Sequence, residues 1–296
     1  SAEQAFAMQP PPDYISAVNE HQQGTRIVLE AEKRGIPVIM LLNDLTQEQK
    51  YTYGTPRKDI KNWILTLTPD NERAGYDIAQ SLIDRARLAQ GDAMPQTLCL
   101  LSIAGDRNTP ASLQRLKGLD HALSRYPVLR EQRRIVANWS YDEAFRQTEA
   151  WIKRGGCIDA VWAANDNIAL GAIAALKEAG RVPGKDVFVG GLNWSTEGLD
   201  AVTDGEMTLT HGGHFFAGAW VMVLLHDYVN GVEFLKDHPE ITFRMEAVTR
   251  ENMADFNDIL FTRDWDKVDF SRFSLVNAPV GAEYRFGLLS DDKEHN

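Results

Sequence analysis

The chain has 296 residues, 44% of them hydrophobic and 25% charged, the balance of a globular protein, and at about 100–200 residues per domain its length predicts two lobes. No apolar run approaches the roughly 20 residues that cross a bilayer as a helix, which excludes an ordinary transmembrane helix. A formal net charge of −11 opposes the phosphate neutralisation on which nonspecific nucleic-acid binding depends, so no nucleic-acid partner is expected.

Residues 1–12 end in Pro10, Pro11 and Pro12, which stop a helix and lead the chain, extended, into a strand over 13–18. A helix over 22–34 closed by Gly35 and a buried strand over 36–42 complete a βαβ unit. Asn43 and Asp44 end that strand, and a loop through Tyr51, Tyr53, Gly54 and Pro56 reaches a strand at 63–67. Pro69, Asp70 and Glu72 mark the first turn of the next helix, with Asp70 read as its N-cap. Then follow a strand over 97–103, a helix over 110–122, a strand over 134–138 and a helix that starts at 139–142 and runs to Lys153. Cys99 and Cys157 form no C-x-x-C and no metal-type spacing, and are expected as two inert buried thiols.

The stretch 157–198 carries the clearest pattern. An apolar strand at 158–163 feeds an amphipathic helix over 165–179; Gly180, Pro183 and Gly184 turn the chain into a second strand at 187–191, and 193–197 opens a further helix. Parallel strands joined this way are covered by helices, and in open α/β sheets ligands collect outside the carboxyl ends of the strands. Asn165 follows the first strand and Asn193 and Trp194 follow the second, offering fixed donors and acceptors with one flat aromatic ring. Asp166 and Ser195 are read as helix caps, and Asn165 and Asn193 as ligand contacts. Strand 207–210 leads into His211-Gly212-Gly213-His214, where the two glycines indicate a hinge instead of the regular helix that an H-x-x-H metal pair needs; no metal is expected, and His211 is read as a hydrogen-bond donor. An apolar helix over 215–230 and a last strand over 241–250 follow.

Catalytic motifs are missing: no G-x-S-x-G, no H-E-x-x-H and no G-x-x-x-x-G-K-[ST] occurs, and Gly180–Lys185 is one residue short of a phosphate loop and follows a helix. Neither an enzymatic function nor a cofactor is expected.

The segments AVWAANDNIALGAIAALKEAG and VFVGGLNWSTEGLDAVTDGEM resemble the type I periplasmic binding proteins, whose sugar-binding members carry a similar N-D-x-x-A-x-G-x-x-x-A-L junction followed by G-[FLW]-[DN]. The resemblance implies an α/β fold of two doubly wound parallel-sheet lobes joined by a multi-strand hinge. It assigns 1–105 plus 212–245 to the amino-terminal lobe and 106–211 plus 246–296 to the carboxy-terminal lobe and tail, with hinge points near Gly105 and Gly212-Gly213. It also implies a further β-α-β-α segment ahead of the 13–18 strand, and export by a signal peptide to the periplasm.

Ligand-facing positions implied by the resemblance are Asn43 or Asp44, Asp70 or Asn71, and Arg115 in R-L-K-G-L, whose guanidinium suits vicinal hydroxyls or a carboxylate unless it is a surface Arg beside Lys117. Trp139 stands where sugar-binding relatives stack an aromatic ring on the ligand, and neither Arg115 nor Trp139 is expected in a lobe core. The implied function is capture of a small polar ligand, a sugar first, and delivery to the membrane permease of an ABC importer. Two alternatives share the fold: a sensor signalling to a membrane kinase, as in autoinducer-2 receptors, and the effector domain of a LacI-type repressor. The remainder past the last strand is expected to pack along the lobes, with the acidic end at 291–294 frayed.

Overall fold

The computed structural model of the chain describes residues 2–20, 22–91, 96–232, 239–256, 260, 268–279 and 282–287, so the acidic end at 291–294 lies outside the described residues. In chain order the elements are α1 (Ala2–Phe6), β1 (Ile15–Ala17), α2 (Gly24–Arg34), β2 (Val38–Leu41), α3 (Gln47–Tyr53), β3 (Trp63–Pro69), α4 (Asn71–Ala89), β4 (Leu98–Ala104), α5 (Pro110–Arg125) and β5 (Leu129–Val136). They continue with α6 (Tyr141–Lys153), β6 (Ala160–Ala163), α7 (Asp166–Glu178), β7 (Phe188–Leu192), α8 (Thr196–Thr203), β8 (Leu209–Gly212), α9 (Ala217–Val229), β9 (Glu240–Phe243) and β10 (Glu246–Thr249).

These strands form two sheets. One has the order β1-β2-β3-β9 and is parallel throughout. The other has the order β10-β8-β7-β6-β4-β5 and is parallel except for β10, which runs antiparallel to β8. The expected two-lobed parallel architecture is therefore present.

The first passage between lobes differs from expectation. β4 lies in the centre of the six-stranded sheet between β6 and β5, although its residues were assigned to the amino-terminal lobe. α4 already covers that sheet, with Ile78 and Leu82 pressed onto Gly190 and the Trp162 indole N–H donating to Gly75 O at 2.9 Å. The chain thus crosses at Pro69–Asn71, where the Asp70 N–H donates to Phe243 O at 2.8 Å, and not at Gly105. Two further crossings follow β8, at Gly213 (φ 99°), and separate β9 from β10, so the single strand expected over 241–250 is two strands in two sheets.

Two short helices were not legible. α3 replaces the expected loop because Thr46 and Gln49 form a reciprocal capping box. α1 persists ahead of the prolines because Phe6 packs with Ile15, Val28 and Trp63 in the small lobe's core and Arg34 donates to Phe6 O at 2.9 Å.

α4 and α5 meet backbone to backbone. A Cβ on Gly75 would lie 2.1 Å from Arg115 O, and one on Gly118 would lie 1.9 Å from Glu72 O. Neither neighbour is a side-chain tip that could swing away, so Gly75→Ala and Gly118→Ala are each expected to cost about 1–3 kcal/mol, the usual range for overpacking. Urea unfolding of each variant would show this, and an unchanged midpoint would refute the close approach.

Cys99 and Cys157 are joined in a disulfide, and Cys157 is exposed, which corrects the expectation of two buried thiols. The register explains the pairing: Leu100 lies beside Ala160 on neighbouring parallel strands, and the two chains enter these strands together, Cα atoms 5.7 Å apart. Sequence spacing carries no trace of this, because the partners are 58 residues apart.

The described residues 268–279 and 282–287 pack against α9. Phe286 stacks on Trp220 at 5.3 Å and Tyr284 on Phe286 at 5.3 Å. Asp227, wholly buried on α9, accepts hydrogen bonds from the Leu275 N–H (2.6 Å), the Tyr284 hydroxyl (2.7 Å) and the Ser274 hydroxyl. Burial alone would raise this carboxyl; the hydrogen bonds outweigh it and hold the group below its ordinary value.

Candidate functional site

The chain segments that leave the carboxyl ends of the parallel strands carry the candidate residues. Along the larger sheet, neighbouring strands are about 4.8 Å apart, and their carboxyl ends present His214 beyond β8, Asn193 beyond β7, Asn165 beyond β6, Asp106 beyond β4 and Trp139 beyond β5. The smaller sheet presents Asn43 beyond β2; its Oδ1 accepts from the Ala111 N–H of α5 at 3.2 Å, a direct contact between lobes.

Backbone strain gathers at these strand ends. Among the described residues, five of the seven non-glycine positions with positive φ are Leu42, Asn138, Trp139, Asn193 and Trp194. Left-handed conformations of such residues cost of order 1–3 kcal/mol each and persist where surrounding contacts enforce them.

Trp139 is half-buried. Its indole packs across Gly105, where a Cβ would come within 2.3 Å of the ring, and its Nε1–H donates to Asp106 Oδ2 at 2.7 Å. Gly105 is therefore the seat of an aromatic ring and no hinge. Burial raises the Asp106 carboxyl, but donors from Thr109, Asn108 and Trp139 together hold it below its ordinary value, so it is ionised and its oxygens are occupied. Asn167 Nδ2 clamps Trp139 O at 2.8 Å from the first turn of α7.

Asn165 caps α7 with its Oδ1, which accepts from the Ile168 N–H at 2.9 Å, and its Nδ2 has no partner among the described residues. Asp166 takes another part than the expected cap: fully buried, it accepts from the Ser195 N–H and hydroxyl (each 2.9 Å) and the Thr210 hydroxyl (2.7 Å), tying α7 to α8 and β8. Ser195 caps α8 as read from the sequence. Asn193 is partly exposed; its N–H bonds to His211 O at 2.7 Å, and its side chain makes no hydrogen bond among the described residues.

Four expected ligand contacts are turned elsewhere. Asp44 points into the small lobe, where Lys50 Nζ lies 2.6 Å from its Oδ2 and the Leu45 N–H caps its Oδ1. Trp194 is 6% exposed, its indole N–H spent on Thr210 O at 2.9 Å and its ring wedged between Gly212 and Phe256. Arg115 is no surface residue. It is 5% exposed, donates Nε to Asn71 Oδ1 (2.8 Å) and Nη1 to Ala164 O (2.7 Å), and carries its charge 5.8 Å from the Trp139 ring. Burial lowers it to about 10, so it stays protonated and braces the cleft floor from within the lobe core. Side chains alternate along a strand; with Thr210 facing Asp166, His211 faces α4 and leaves the cleft row.

His214 was passed over in favour of His211. Its Nδ1 is buried without a partner among the described residues, and burial, with help from the Arg115 charge, lowers the ring to about 3, so the imidazole is neutral and offers both a donor and an acceptor. Asp106 was also missed, although a short polar residue just past a strand end is the signal that singled out Asn165.

Residues 4–233 match the family model described as periplasmic binding protein domain. A xylitol-binding protein of Mycolicibacterium smegmatis is 32% identical over 190 residues, 63% of this chain and 50% of the relative. The galactofuranose-binding protein YtfQ of Escherichia coli is 27% identical over 183 residues, 61% of this chain and 52% of the relative, so the chain spans about half the length of these curated proteins. A crystal structure of a periplasmic sugar-binding protein from Pseudomonas fluorescens superimposes with a TM-score of 0.80 at 30% identity, covering 96% of this chain and 82% of that one. Two mostly parallel sheets with the chain passing repeatedly between them, a polar row at their strand ends and a family match over most of the length lead to one conclusion: the chain belongs to the periplasmic binding protein family.

Proposed function

We propose that the chain captures a small neutral polyhydroxylated ligand, a sugar or sugar alcohol, between its lobes outside the cytoplasm and delivers it to the membrane permease of an ABC importer. The observation that carries this reading is the row of uncharged groups at the strand ends, Asn165, Asn193 and His214, beside the flat ring of Trp139. Hydroxyls need paired donors and acceptors, while the C–H face of a sugar ring packs on an aromatic surface. The cleft's charges are already taken, Asp106 by four donors and Arg115 by Asn71 and Ala164 O, which favours a neutral ligand over an acid. The xylitol- and galactofuranose-binding relatives support the same class of ligand.

The Cys99–Cys157 bridge bears on the compartment. Disulfides persist in the periplasm and outside cells and are rare in the cytosol, where a repressor's effector domain works, so the bridge favours the exported protein.

Calorimetric titration with xylitol, ribose and galactofuranose tests the ligand class. Trp139→Ala is expected to weaken the best of them about tenfold or more, since burying an aromatic is worth some 1.5–3 kcal/mol. Asn193→Gly, which tolerates the native φ of 146°, removes the amide without new strain and is expected to cost about tenfold. No heat with any polyol, or full affinity in both variants, would refute the assignment.

A further inference from the structure

Trp139 is held by three contacts. The six-membered part of its indole lies where a Cβ on Gly105 would stand, within 2.3 Å of the nearest ring atom, and its Nε1–H donates to Asp106 Oδ2 at 2.7 Å. Its backbone carbonyl accepts from Asn167 Nδ2 at 2.8 Å. The chain reaches this position through two left-handed residues, with φ 48° at Asn138 and 60° at Trp139.

The two carboxylate oxygens of Asp106 have different partners. Oδ1 accepts from the Asn108 and Thr109 N–H groups, at 2.8 and 2.6 Å, and so closes the loop ahead of α5. Oδ2 takes the Trp139 indole and the Thr109 hydroxyl. Closing the loop needs one oxygen only, and an amide would serve there. The second oxygen makes a charge-assisted bond to the single donor that an indole possesses. With that donor spent, Trp139 has no hydrogen bond left for a ligand hydroxyl, and its half-buried ring offers aromatic surface alone. A side chain that is already fixed also loses little freedom when a ligand lands on it, whereas immobilising a loose one weakens binding.

We propose that Asp106 is a positioning residue for ligand capture: it takes the Trp139 indole N–H, holds the ring in place before the ligand arrives, and restricts that contact to a C–H face of the ligand. This rests on the reading of Trp139 as the platform for a sugar, and names the group that sets the platform.

Asp106→Asn separates the roles of the two oxygens. The amide oxygen keeps the Asn108 and Thr109 N–H groups, while the amide nitrogen, a donor, faces the indole donor and removes that bond. In the ¹⁵N-labelled ligand-free chain, the Trp139 indole N–H resonance, identified by its loss in Trp139→Phe, is expected to move upfield in Asp106→Asn. Affinity for the best of xylitol, ribose and galactofuranose, read by calorimetry, is expected to fall about fivefold. In the Trp139→Phe background, which has no N–H to hold, Asp106→Asn is expected to cause no further loss. An indole resonance that Asp106→Asn leaves in place would overturn the proposal, and so would an equal loss of affinity in both backgrounds, the mark of a mere loop brace. A parent that binds no polyol would sink the ligand class and this role of Asp106 with it, whereas the indole shift, read without ligand, fails only if the ring is not pinned.

Discussion

Replacing Cys99 and Cys157 together by Ser is expected to lower the free energy of unfolding by about 4 kcal/mol. The bridge closes a loop of 58 residues, and the chain-entropy relation assigns about that much to tying down such a loop in the unfolded state. Few single changes elsewhere should match it, since point mutations typically cost 0.5–3 kcal/mol. The loop contains α5, β5 and α6, so its release loosens the half of the larger sheet that carries Trp139. Asp159, whose carboxylate accepts the Cys99 N–H at 2.8 Å, keeps the strand entrance in register without the sulfurs. The double variant should therefore fold and bind while unfolding at lower urea. Identical urea midpoints for the parent with and without dithiothreitol would contradict the contribution, provided that thiol titration confirms reduction.

Mild acid should destabilise the protein through His211 and His214. Each ring is lowered from 6.5 to about 3, by burial first; Arg244, Arg115 and Arg73 add to it for His211, and Arg115 for His214. Below pH 6.5 the unfolded chain binds a proton at each ring and the folded chain does not, so stability is present above 6.5 and is lost as pH falls toward 3. Between pH 6.5 and 5 the two rings together account for a loss of about 3 kcal/mol. Asp44, Asp77 and Asp166, raised chiefly by burial, act in the opposite sense, gaining stability as they take up protons. The decisive measurement is therefore a difference. His211→Gln should remove about half of the histidine loss, read as urea-derived stability at pH 6.5 and 5.0 for parent and variant. Parallel pH dependences would show that His211 titrates normally.

The periodic parts of the chain were legible because burial imposes its period locally. The strand–helix–strand run from Ala160 to Leu192 and the caps Asp70 and Ser195 follow from adjacent residues alone. What depended on distant partners was not legible. β4 reads as a buried strand in either lobe, and only α4, pinned by Gly75 and Gly118 to α5, decides that it belongs to the larger one. The same limit governs the site. That polar residues follow strands is visible in sequence, and it brought out Asn165 and Asn193, while the family resemblance brought out Trp139. Which way each side chain turns depends on tertiary neighbours: Lys50 draws Asp44 inward, Thr210 and Phe256 take Trp194, and Asn71 with Ala164 holds Arg115 in the core.

The Asp227 anchor alters how the hinge should be counted. β10 leaves the chain in the larger lobe, yet Leu275 and Tyr284 hold to α9, which packs on β2 and β3 of the smaller one. Besides its peptide links, the hinge thus has a tether held by hydrogen bonds and stacked rings. Peptide links pivot about single bonds, but a tether of this kind would have to slide or peel for the lobes to separate. Any opening of the lobes would have to move Tyr284 and Phe286 over Trp220 and strip the buried carboxylate of its donors.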